Sequence, residues 1–181
     1  MSNPKNYRAG VAFALVFAMN LAIADCDQTY AEIKDEAMAL DYQGFDQTPG
    51  QGFRILAGIG CARQAADLIE AYIETNNATE RSLIWHLAQM RGEAGQAKAA
   101  LEAARESLDP EETNESPFRW NAHVQAYIAF LKGDRSAFDA SLDELENTID
   151  RHAGNGINAR FWRQLEPNFE QGYADAITRS K

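Results

Sequence analysis

A glycine recurs at a nearly constant interval through the middle of the chain. Gly60, Gly95 and Gly133 are 35 and 38 residues apart. Each stands between two segments whose apolar residues are spaced three and four apart, which is the spacing of one face of an α-helix. A helix–turn–helix unit repeated at this interval is typical of helical repeat proteins, in which neighbouring units stack to bury their apolar faces.

The rest of the sequence also favours helix. Only five prolines occur, strand-like alternation is nearly absent, and good helix formers such as Ala, Leu, Glu, Gln and Arg dominate. The pattern therefore predicts an all-α domain of antiparallel helix-turn-helix pairs. A first helix is expected over residues 29–40 and capping helices over about 157–180. The expected helix pairs cover about residues 48–75, 79–108 and 116–151.

The second of these units resembles a tetratricopeptide repeat. The resemblance lies in "IWHLAQMRGEAGQAKAALEAA", although Arg91 stands where that family prefers an aromatic residue. It extends more weakly over residues 48–151, and residues 41–74 are also similar to bacterial exported helical-repeat proteins without an assigned function. The resemblance implies a short superhelix with a concave groove. The residues at core positions of the family are Ile84, Leu87, Ala88, Gly95, Ala100 and Ala104.

The first 24 residues have the layout of a secretory signal peptide. Lys5 and Arg8 precede an apolar run of about 15 residues that ends in the small-x-small sequence Ala22-Ile23-Ala24. A permanent anchor is disfavoured because a spanning helix needs about 20 apolar residues. A lipoprotein is disfavoured because Asp25 precedes Cys26. Cleavage near Ala24 predicts that residues 25–181 are one periplasmic or secreted domain.

The two cysteines, Cys26 and Cys61, both fall in the predicted exported part. An even number of cysteines in an exported domain favours one disulfide, and two unpaired thiols are the alternative. Two cysteines and three scattered histidines offer too few ligands for a zinc site, so we expect no metal.

The charge excludes two classes of partner. After loss of Lys5 and Arg8, the chain keeps 15 basic against 27 acidic residues, a formal net charge of −12. Such a surface repels nucleic acid and anionic lipid. We therefore expect no nucleic-acid binding and no membrane insertion once the signal peptide is removed.

The glycine-rich stretch "TPGQGFRILAGIGC", residues 48–61, invites comparison with a nucleotide-binding loop. A dinucleotide fingerprint would need a third glycine where Ile55 stands, and no Gly-Lys-Ser/Thr follows. We predict instead a helix from Thr48 to Gly60, capped by Thr48 and Pro49. With no serine-nucleophile motif either, we expect no cofactor and assign no catalytic residue.

The resemblance to tetratricopeptide repeats implies where the groove lies. Groove positions fall 13, 10 and 6 residues before each turn glycine, and the first two in the second unit are Ser82 and Trp85. The aromatic residues could instead be core, the C-terminal helices could fill the groove, or a register shift of one could present His86 in place of Trp85. The candidate partner-binding residues are Arg54, Trp85, Gln89, Trp120, His123 and Tyr127.

Three functions are compatible with such a groove. The first is an exported interaction module that binds a peptide or protein partner, because Trp, Tyr and Arg carry much of the energy at interfaces. The second is an enzyme acting on a cell-envelope polymer with acidic residues and His123. The third is a carrier of a small ligand in an aromatic pocket.

Overall fold

A computed structural model of the chain describes residues 26–180. The predicted signal peptide, residues 1–24, lies outside these residues. Within them every regular element is helical, and none of the helices is long and apolar enough to cross a membrane. The elements are α1 (residues 26–38), a π-helical turn (Gln43–Gln47), α2 (Arg54–Gly58), α3 (Ala62–Asn76), α4 (Arg81–Glu93), α5 (Ala97–Glu106), α6 (Trp120–Lys132), α7 (Arg135–Glu146), α8 (Ala153–Leu165), a 3-10 helix (Glu166–Gln171) and α9 (Tyr173–Ser180).

The predicted all-α class is confirmed, and consecutive helices pack as adjacent pairs. The pairs α4/α5 and α6/α7 each fold back through a turn at Gly95 or Gly133. These glycines have φ values of 73° and 66°, and Gly60, before α3, has a φ of 81°. Residues with a β-carbon rarely adopt such angles, so the recurring glycines allow the recurring turns.

The predicted helix from Thr48 to Gly60 is wrong for most of its length. Gly50 and Gly52 have φ values of 73° and 50°, which do not fit a helix, and α2 begins only at Arg54. Thr48 does not cap a helix, because its hydroxyl donates to the carbonyl of Gln43 at 2.9 Å. A β-carbon at Gly52 would collide with the carbonyl oxygen of Phe45. This glycine is therefore needed for a close approach between two chain segments.

Two further boundaries differ from the prediction. Helix α6 begins at Trp120 rather than near residue 116, and the residues before it form turns. Helix α8 begins at Ala153 rather than near residue 157, so Gly154 and Gly156 belong to it. Asn155 between them is fully buried, accepts a hydrogen bond from the Arg119 backbone at 2.9 Å and donates to the carbonyl of Pro117 at 2.9 Å. These tertiary contacts hold the residues before α6 outside the helix.

The core consists of two clusters that meet at α4, where Leu87 packs against both. The first cluster lies between α1 and α4. Its largest fully buried residues are Phe45, Leu56, Leu68, Ile69 and Leu83. The second cluster joins α4 to the C-terminal helices, and its largest fully buried residues include Tyr127, Phe130, Phe138, Leu142 and Trp162.

A disulfide and the ion pairs of one arginine connect the helices of the N-terminal half. The predicted disulfide between Cys26 and Cys61 is confirmed and ties α1 to the residue before α3. Arg91, on α4, donates to Asp67 at 2.6 Å and to Glu70 at 2.8 Å, both on α3. The position where tetratricopeptide repeats prefer an aromatic residue thus holds a buried guanidinium that joins two helices through charge-assisted hydrogen bonds.

Candidate binding cleft

Three of the predicted groove residues lie in the core. Trp85 is 4% exposed, His123 is 6% exposed and Tyr127 is fully buried. Helix α8 packs against α6, and α9 packs against α4, so the C-terminal helices cover the face on which a groove was expected. These three side chains therefore stabilise the fold and do not line an open surface.

The buried aromatic groups are held by specific hydrogen bonds. The Tyr127 hydroxyl donates to the carbonyl of Ala88, and the Trp162 indole N–H donates to Nδ1 of His123 at 3.0 Å. Burial lowers the pKa of His123 to about 3, because the charged imidazolium would lose its hydration. His123 is therefore neutral at physiological pH, and its Nδ1 is already occupied as an acceptor.

Arg54 and Gln89 are half-buried, whereas the remaining candidate, Trp120, has ring contacts with Trp85 and His123. The Arg54 side chain donates to the carbonyl of Asp46 and lies 5.0 Å from the centroid of the Phe53 ring. Arg54 thus stabilises the segment before α2. The structure thus does not bring the six predicted residues into one site.

Trp120 faces a different concave surface, a cleft of about 520 Å³ at the N-terminal ends of α4 and α6. Ser82 and Trp120, each thirteen residues before a turn glycine, both contribute to it. The first groove position of each of these two units therefore opens to this cleft. The cleft is lined by Tyr42, Glu80, Arg81, Ser82, Asp109, Glu112, Ser116, Pro117, Phe118 and Trp120.

Aromatic rings form part of the cleft wall. The Trp120 indole N–H donates to the carbonyl of Ser107 at 2.6 Å, which fixes the ring after α5. The Phe118 ring lies 6.2 Å from the Trp120 ring, centroid to centroid. Tyr42 contributes a third ring and shares a hydrogen bond with the Ser82 hydroxyl. The three rings of the wall thus come from two separate parts of the chain.

Charged groups form another part of the lining. Arg81 donates to both carboxylate oxygens of Asp109, at 3.1 and 2.9 Å. Glu112, nearly inaccessible to solvent, accepts from the backbone N–H of Asn121 at 2.7 Å. With Glu80, the lining contains three carboxylates against one guanidinium, so it favours a positively charged ligand.

A buried acid–histidine pair lies behind the tyrosine of the cleft. Asp46 is fully buried, and its Oδ1 lies 2.6 Å from Nδ1 of His86. The side-chain amide of Gln47 donates to Asp46 and also, at 3.0 Å, to the Tyr42 hydroxyl. The network therefore links His86, on α4, to the cleft wall.

From the repeat register, His86 was expected in the groove only as the alternative to Trp85. The two adjacent side chains point about 100° apart on α4. Trp85 packs into the second core cluster, whereas His86 contacts Asp46 and Phe53. The signal for Phe118 and Tyr42 was weaker, since neither lies on a helix of a repeat unit. Among residues 26–180, no three His, Cys, Asp or Glu side chains are grouped so that they could hold a metal ion.

The fold and the cleft define an all-α protein of adjacent helix pairs, fastened by one disulfide and carrying an aromatic and acidic cleft. Comparisons of the chain with protein-family models, with curated proteins and with solved structures find no match. The geometry of the cleft is thus the ground on which a function can be proposed.

Proposed function

We propose that this chain is an exported, tetratricopeptide-repeat-like module that binds a peptide or protein partner in the cleft between the starts of α4 and α6. The observation that carries the proposal is the cleft itself. It combines a volume of about 520 Å³ with the rings of Tyr42, Phe118 and Trp120. Aromatic side chains with a few fixed polar groups are the usual composition of a binding site.

The openness of the cleft favours a partner segment over a small ligand. A carrier needs a cavity that encloses most of its ligand. This cleft is open to solvent, and its lining includes exposed residues such as Arg81 and Pro117. Such a surface suits a chain segment that enters and leaves the site.

Export is supported by the Cys26–Cys61 disulfide, because such bonds persist in oxidising compartments. The proposal requires that residues 1–24 be removed. Fractionation of producing cells followed by N-terminal sequencing tests this directly. We expect a chain that begins at Asp25 in the periplasmic or extracellular fraction. An uncleaved chain found only in the cytoplasm would contradict export.

Photo-crosslinking from inside the cleft tests partner binding. A photoreactive phenylalanine analogue at Phe118 is expected to form one defined adduct with a partner in producing cells. The matched control places the same analogue at Ile59, which is 57% exposed and outside the cleft lining. The same adducts from both positions, or none from Phe118, would contradict a binding site in the cleft.

A further inference from the structure

The aromatic wall of the cleft is built and held in place, which is the first requirement for recognising a particular ligand group. Trp120 is the first residue of α6, Phe118 lies in the connection just before it, and Tyr42 lies in the connection between α1 and α2. Trp120 is fixed by its hydrogen bond to the Ser107 carbonyl, and Tyr42 accepts one from the Gln47 amide. The faces of such rings attract cations that approach within about 6 Å of the ring centroid.

The carboxylates of the lining differ in how many hydrogen bonds and ion pairs they form with the rest of the protein. Asp109 is engaged on both oxygens by Arg81. Glu112 is almost inaccessible, lies 3.5 Å from the Arg119 guanidinium and accepts from a backbone N–H. Glu80 is half-buried at the start of α4, and one of its carboxylate oxygens accepts from the Thr79 backbone N–H at 3.0 Å. Within residues 26–180, unlike Asp109 and Glu112, it forms no ion pair with a basic side chain. Glu80 is thus the carboxylate best able to face a ligand.

We propose that the cleft recognises a basic side chain, lysine or arginine, of the partner segment, held between the aromatic rings and the carboxylate of Glu80. This inference rests on the partner-binding function proposed above. A basic side chain has an apolar stem that packs on aromatic rings and a charged end that reaches a carboxylate. The whole chain has a net charge of −10, which also favours a basic partner over an acidic one.

The volume of the cleft fits a side chain together with its neighbours. About 520 Å³ lies within the range of sites that take ligands larger than one amino-acid side chain. Apolar residues flanking the basic one would cover Phe118 and the exposed Pro117. The proposed occupant is therefore a short segment with one basic residue between apolar residues.

A set of four matched peptides tests this assignment. Each is a capped pentapeptide with leucines on both sides of a central lysine, arginine, norleucine or glutamate. Norleucine keeps most of the lysine stem without the charge. Isothermal titration of the purified protein is expected to show the lysine and arginine peptides binding about tenfold more tightly than the norleucine peptide, with the advantage falling at high salt. The glutamate peptide is expected to bind least.

Two variants locate the binding, each with a matched control. Phe118→Leu keeps an apolar side chain but removes the ring, and Glu80→Gln removes the charge. Both are expected to reduce the lysine advantage to about twofold. The controls are Phe161→Leu, a half-buried ring on α8, and Glu74→Gln, an exposed carboxylate on α3, which lie outside the lining and should keep the full advantage.

The outcomes separate this inference from the broader proposal. Norleucine binding as tightly as lysine, no binding of either basic peptide, or equal losses in the control variants would each overturn recognition of a basic side chain. The photo-crosslink from Phe118 could still form in those cases, and partner binding would stand. Loss of that crosslink would remove the partner-binding function itself. If Phe118→Leu does not fold, Glu80→Gln provides the test alone.

Discussion

The indole N–H of Trp162, on α8, donates a hydrogen bond to Nδ1 of His123, on α6, across 3.0 Å in the protein core. This bond lies on the face where the repeat register implied an open groove. It requires an imidazole that is unprotonated at Nδ1. Protonation at this nitrogen would remove the acceptor and leave a charge in an apolar site, which is why burial lowers the pKa of His123 to about 3.

The first prediction concerns the pH dependence of stability. In the unfolded chain an imidazole has a pKa of about 6.5. Between that value and the folded pKa of about 3, the unfolded state binds the extra proton, so acidification favours unfolding. The contribution of His123 to the free energy of unfolding is fully present above pH 6.5. As the pH falls below that value, the free energy of unfolding decreases by up to about 1.4 kcal/mol per pH unit. His123→Asn retains an acceptor for Trp162 and should flatten the profile.

The measurement is the free energy of unfolding by urea between pH 7 and pH 4.5, for the wild type and for His123→Asn. A matched control is His152→Asn, because His152 is exposed and asparagine can replace its ring as the acceptor for the Gly154 N–H. That control should keep the wild-type slope. Parallel profiles for wild type and His123→Asn would show that His123 protonates without penalty.

The second prediction concerns two glycines inside helices. Gly92, on α4, is buried, and a β-carbon there would collide with the Tyr127 hydroxyl and lie 3.0 Å from Tyr173. Gly92→Ala should therefore cost about 1–3 kcal/mol despite the better helix propensity of alanine. At Gly58, on α2, no atom lies within 4 Å of the added carbon. Gly58→Ala should leave stability unchanged or slightly higher. Thermal unfolding of both variants tests the contrast, and equal effects would contradict it.

The third prediction concerns the buried pair of Asp46 and His86. His86→Leu leaves a fully buried carboxylate without its histidine partner and should cost about 3 kcal/mol. Adding Asp46→Asn removes the uncompensated charge and should restore about 1–2 kcal/mol. The double variant is thus expected to be more stable than His86→Leu alone in urea unfolding at pH 7. A double variant whose losses simply add would show that the two side chains are not coupled.

Local patterns in the sequence were enough to predict the class of fold. Gly60, Gly95 and Gly133 mark turns because each needs a positive φ, a property of one residue and its backbone. The disulfide followed from the number of cysteines and the predicted compartment. The helix over residues 48–60 failed because Gly52 is dictated by a close approach to Phe45, a tertiary contact that capping signals do not report.

The site was predicted less well because it depends on segments distant in sequence. The repeat register placed Ser82 and Trp120 at groove positions, and both line the cleft. Tyr42 and Phe118 also line it, but they lie in connections without helical periodicity. The composition of α6 indicates that His123 and Tyr127 are buried, although the repeat register placed both in the groove. Helix α6 is apolar on nearly all sides, and such a helix is expected to be covered on all sides.

The last prediction concerns the Cys26–Cys61 disulfide, which closes a loop with a sequence separation of 35 residues. Cross-linking a loop of that length reduces the entropy of the unfolded chain, so the double variant Cys26→Ala/Cys61→Ala should lose about 3–4 kcal/mol. Helix α1 should be affected first, because many of its residues are exposed. Urea unfolding with and without reductant measures the loss, and hydrogen exchange locates it. We expect reductant to lower the wild-type midpoint, to leave the double variant unchanged, and to reduce protection in residues 26–38 before α6. An unchanged wild-type midpoint under reductant would contradict a stabilising role for the bond.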